Sequence, residues 1–131
     1  MIHYDMMKNT ILAAMAAITM SQQAEAQVYA YATGIHAGDS VVYVTDIHTL
    51  DNAQLTKRTK FLVGRQDLSA QFRNYLAGTG AQDRTCAVVF NKNRKKLEKD
   101  FENLMGKLKK QKYVIMKVEQ KDFQFIVTRN D

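Results

Sequence analysis

The sequence predicts an α+β fold: a two-layer sandwich with one mixed sheet of about five strands and two helices on one face, in the order ββαβαββ. Three patterns lead there. Residues 84–118 read as strand, helix, strand. The first strand is the apolar run Thr85-Cys86-Ala87-Val88-Val89-Phe90, and the second runs from Tyr113 to Val118. Between them Leu97, Phe101, Leu104, Met105 and Leu108 recur at steps of 4, 3, 1 and 3, one face of a 3.6-residue helix. Residues 28–50 and 113–128 each read as a hairpin, two alternating runs around a polar turn.

The first twenty-six residues have the layout of a secretory signal peptide. Lys8 supplies the basic end, Ile11 to Met20 an apolar core of about ten residues, and Ala24-Glu25-Ala26 the small-x-small pattern before a cut. Ten apolar residues are too few to span a bilayer, which takes roughly twenty. Met6-Met7-Lys8 is an alternative start, and an N-terminal helix packed on the domain is the alternative reading. With cleavage after Ala26, residues 27–131 form one exported domain, periplasmic or secreted. No cysteine stands at the cut to carry a lipid.

Within that domain Val28 to Ile35 is the first strand, with Val28, Ala30 and Ala32 on one side and Tyr29, Tyr31 and Thr33 on the other. The turn-forming His36-Ala37-Gly38-Asp39-Ser40 leads into Val41 to Leu50, a second strand in which Asp46 and His48 share a side. Residues 51–65 have no clean period and are expected to form an irregular connection with a turn or two of helix. Leu68, Phe72, Tyr75 and Leu76 then mark a short amphipathic helix, begun near Asp67-Leu68-Ser69 and ended by Gly78. Gly106 interrupts the second helix, either at a close contact with the sheet or where its last turns loosen. Phe123 to Thr128 closes the chain as a last strand. Right-handed crossovers are expected to place both helices on one side of the sheet, leaving Tyr29 or Tyr31 on the open side.

The charge is concentrated. The chain has 19 Lys and Arg against 13 Asp and Glu, a net charge of +6, and residues 91–112 alone hold nine basic and three acidic side chains. Lys92, Arg94, Lys95 and Lys96 crowd the helix start, where the backbone dipole is already positive. Free backbone N–H groups at a helix start bind anions, and added cations strengthen that. Arg94, Lys95, Lys96 and Lys99 are therefore the candidate ligand-binding residues; the alternative is a solvated, solubility-giving face with Asn93 as cap.

Other chemistries find less support. Cys86 is the one cysteine, so no internal disulfide forms; it is read as a small buried residue, with Cys86 and His48 the only pair for a thiol enzyme. Asp46 and His48 could both ligate a metal, but two ligands are not a site and His36 would have to come from across the hairpin, so they are read as a solvent-facing pair. Gly78-Thr79-Gly80 precedes a strand, not a helix, so no phosphate-cradling loop and no cofactor are expected. Nucleic acid is disfavoured by the expected export and by the lack of an aromatic RNA-recognition motif.

The strand ending near Phe90, the polar start Asn91-Lys92-Asn93, the helix ending in Lys-Lys-Gln-Lys-Tyr and the strand after it are similar to the second half of sporulation-related repeat domains. Those are small periplasmic modules that bind denuded peptidoglycan strands. The likeness covers about a quarter of the chain. That family has a helix after its first strand where this chain has a hairpin, so none of its binding residues is transferred. As a whole the chain resembles short exported proteins of unknown function from Bacteroidota-type bacteria, which implies no activity. The leading expectation is a non-enzymatic exported module that recognises an anionic envelope polymer or another envelope protein. A protein-interaction or self-assembly subunit using the open sheet face or an edge is the alternative, and a cysteine-dependent enzyme the third reading.

Overall fold

The computed structural model describes residues 27–127. The expected signal peptide, residues 1–26, lies outside the described residues, as do residues 128–131. The elements are β1 (Val28–Ile35), β2 (Val41–Thr45), β3 (His48–Leu50), α1 (Arg65–Gly78), β4 (Thr85–Asn91), α2 (Arg94–Lys110) and β5 (Val114–Val118). The class is α+β, with a mixed five-stranded sheet and two helices. No helix among the described residues is long and apolar enough to cross a membrane.

β1 is the central strand. β4 pairs antiparallel along one edge of it, and β2 and β3 share the other. β5 lies parallel to β2 on the far side. The expected long strand over residues 41–50 is thus two pieces, separated by a one-residue slip of register. Thr33 faces Val44, but Ala30 faces His48 rather than Ile47. The extra residue is a β-bulge, in which the buried Thr45 hydroxyl accepts from the Ala32 amide at 2.9 Å and donates to the Asp46 carbonyl. Val42, Val44 and Ile47 therefore point to one side of the sheet, and Tyr43 and His48 to the other.

The helices do not share a face. Leu68, Phe72 and Leu76 of α1 pack with Val28, Ala30 and Ala32; Leu97 and Leu108 of α2 pack with Tyr31, Val42 and Val44. Alternate residues of one strand point to opposite sides, so the sheet is sandwiched between the helices. The path of the chain gives the reason. From β3 to β4 it crosses the sheet one way over β1, and from β4 to β5 it crosses back. Two right-handed crossovers running in opposite directions must lie on opposite faces. Tyr29 and Tyr31 are not left on an open face: Tyr29 is half-buried, Tyr31 is 3% exposed, and the Tyr31 ring meets Phe101 edge-on at 5.0 Å.

Three further segments differ from expectation. Residues 51–64 hold a single helical turn, the Lys60 amide donating to the Thr56 carbonyl at 3.0 Å, and add a pairing that the sequence did not suggest. They form a small looped ladder with a Leu55–Leu62 bridge, in which Leu62 is buried while Phe61 and Val63 stay exposed. α1 starts at Arg65 after Gly64, with no side-chain cap. Residues 123–127 are not a strand. Phe123 and Phe125 pack into an aromatic cluster with His48, while the Gln71 side-chain amide donates to the Ile126 carbonyl at 2.8 Å and accepts from its N–H at 2.9 Å. One side chain thus does for Ile126 what a neighbouring strand would do.

Candidate functional site

The start of α2 rests on the asparagines before it. Asn91 accepts from the Asn93 amide at 2.8 Å, and Asn93, extended at φ −95°, accepts from the Lys96 amide at 3.2 Å. The cap therefore takes one of the helix-start donors that an anion would use. α2 turns Leu97 and Leu108 inward and leaves Arg94, Lys95, Lys96 and Lys99 exposed. The four are not equivalent. Arg94 bonds Glu98 at 2.9 Å and lies over the Tyr29 ring at 5.5 Å. Lys95, Lys96 and Lys99 form no ion pair among the described residues. Gly106 is no close contact with the sheet: nothing lies within 4 Å of the place its Cβ would take.

Cys86 and His48 are not brought together. Both point to the α1 side, but Cys86 faces Gly34 and His48 faces Ala30, across β1 and four residues apart along it. At about 3.3 Å per residue and 4.8 Å per strand, that separates them by roughly 16 Å. Burial pushes the Cys86 thiol up from its ordinary pKa, against the pull of Arg73 and Arg84, so it is held protonated. His48 is 2% exposed, and its Nε2 has no hydrogen-bond partner. Burial pushes its pKa down, with Asp46 acting the other way. Asp46 itself turns toward β5, where it pairs with Lys117 at 3.0 Å and accepts from the Gln120 amide. Among the described residues no three His, Cys, Asp or Glu side chains converge as metal ligands.

Sequence reasoning missed two features. Arg84, only 8% exposed, donates to the Val41 carbonyl at 2.7 Å, pairs with Asp39 and covers the Tyr43 ring at 4.9 Å. The Val41 amide and the Arg84 guanidinium hold the Asp39 carboxyl below its usual range. This cluster is an anchor: it fastens the β1–β2 turn to the start of β4. The second is a cleft of about 580 Å³ between α1 and β4, walled by Arg65, Ser69 and Arg73 and floored by Cys86 to Val88. Its signal in the sequence is the i, i+4, i+8 spacing of the wall residues, but their position needed the placement of α1 over β4.

Comparison with protein-family models, curated proteins and solved structures finds no match.

Proposed function

We propose that this chain is a non-enzymatic exported module that binds an anionic envelope polymer through the first turns of α2. The supporting observation is the contrast along that helix. Its apolar stripe is spent on the sheet, while Lys95, Lys96 and Lys99 face solvent with no carboxylate partner among the described residues. With Asn93 occupying the helix-start amide, the contact is made by mobile side-chain cations and not by a built backbone nest. Such a surface reads charge density rather than a particular ligand shape. Arg94, held between Glu98 and Tyr29, orients the patch and contributes less charge to it.

The experiment is retention on isolated peptidoglycan sacculi and on heparin as a function of salt. Retention should be strong at low ionic strength and fall steeply as the screening length contracts below about 10 Å. Combining Lys95→Glu, Lys96→Glu and Lys99→Glu should weaken it roughly tenfold or more, since an exposed ionic contact is worth up to about 1 kcal/mol. Retention indifferent to salt or to this triple change would refute the reading.

A further inference from the structure

We infer that the outer edge of β4, with the α1 wall above it, is a docking groove for an extended acidic segment of a partner protein, which joins the sheet as an added strand. This surface is separate from the start of α2, and the inference stands whether or not α2 binds a polymer.

β4 pairs with β1 over all seven of its residues and has no strand on its other side among the described residues. A strand at a sheet edge presents a row of backbone donors and acceptors to any extended chain. Exposed edges are commonly guarded by a charge or a proline, yet Thr85–Asn91 contains neither. Beside it α1 projects the stripe Arg65, Ser69 and Arg73, completing a trough with a backbone floor and a cationic wall. A strand added to a sheet edge takes affinity from backbone bonds and specificity from alternate side chains.

The wall states the charge of the occupant. Arg65 and Arg73 are exposed, and neither has a carboxylate partner among the described residues. Asp67, the acid on the same helix, is bonded to the Gln71 amide at 3.0 Å instead. The wall also states a spacing. Eight helical residues at 1.5 Å each separate the two arginines by about 12 Å along the axis. Four residues of an extended chain cover about 13 Å and return to the same face. Acids at positions i and i+4 of the added strand would meet both guanidinium groups, while acids at i and i+3 would fall on opposite faces. The opposite flank of α1 already holds a backbone segment in this way, Gln71 bonding both the N–H and the carbonyl of Ile126.

Cys86, in the floor and unique in the sequence, gives the readout. The probe is a blocked seven-residue peptide, Thr-Glu-Val-Thr-Val-Glu-Thr, and the measurement is the rate of Cys86 alkylation followed by mass. The peptide should slow alkylation at least fivefold at saturation. Moving the second Glu one residue toward the first, methylating alternate backbone nitrogens, or combining Arg65→Glu with Arg73→Glu should each abolish that protection. Both substitutions are at exposed positions, and an unchanged circular dichroism spectrum verifies that the fold is retained. Lys95→Glu with Lys96→Glu should leave protection intact, which separates this surface from the one on α2. The inference is overturned if no peptide protects, if the shifted or methylated peptide protects equally, or if polyphosphate does so as well. Protection by a second copy of the chain, seen as dimerisation without peptide, would overturn it too.

Discussion

The two faces of β1 are built on different plans. Toward α1 the strand shows Val28, Ala30, Ala32 and Gly34, so the helix settles close and buries Phe72 and Leu76 completely. A Cβ on Gly34 would stand 2.6 Å from Leu76 Cδ1, closer than real side chains approach. Toward α2 the same strand shows Tyr29 and Tyr31, and the packing there runs through rings, Tyr31 meeting Phe101 edge-on. Leu97 is the one residue of α2 with no exposure, and Phe101, Leu104 and Met105 are only half-buried. Small residues in a strand give a helix a tight seat; where large ones stand, more of the helix circumference is left to solvent. The lysine patch lies on α2, the helix that packs on rings.

The sharpest way to break this contrast is Phe72→Ala. It empties the tight face at a site with no exposure and should cost about 3–5 kcal/mol, measured by urea unfolding. A loss under about 1 kcal/mol would mean the α1 face is not the tighter one. Glycine gives a second test, with opposite signs on the two sides. Gly34→Ala should destabilise by about 1–3 kcal/mol, because the fully buried Leu76 must shift to admit the methyl group. Gly106→Ala, on open helix surface, should stabilise by about 0.5–1 kcal/mol. Equal signs would remove the distinction.

The smallest effect belongs to His48. Its pKa is depressed in the folded chain relative to the ordinary 6.5. As pH falls through that value, the unfolded chain takes up a proton that the folded chain refuses. The His48 contribution is therefore complete above about pH 6.5 and is lost progressively below it. The neighbouring Asp46 carboxylate works against this loss. His48→Phe should flatten the fall in stability on this limb, seen in thermal melts taken from pH 7.5 down to pH 5.

The helices were legible because periodicity is a local property. Leu68, Phe72 and Leu76, like Leu97 and Leu108, are buried as their spacing requires. What could not be read locally was how elements meet. Handedness constrains each crossover, but the face it takes depends on direction across the sheet, which needs the strand order. The bulge at Thr45–Asp46 is a relation between two strands, and nothing in Val41 to Leu50 announces it. The alternation of Phe123, Phe125 and Val127 has the pattern of a strand, yet their burial comes from α1 and from each other, and Gln71 takes the place of a ladder. The exposed lysines of α2 were visible as a charge run. The trough beside β4 was not, because its wall and floor come from elements some twenty residues apart.

The register slip between β2 and β3 also fixes how this protein can vary. Removing one residue there would let the ladder run on unbroken with His48 still facing Ala30, whereas closing the slip with the residue count unchanged would turn the three residues of β3 inside out. An imidazole would swing toward Phe101, and Ile47 would enter the aromatic cluster in its place. Side chains at this spot can be exchanged one at a time, but with three residues between Val44 and His48 the bulge is what both helices require at once.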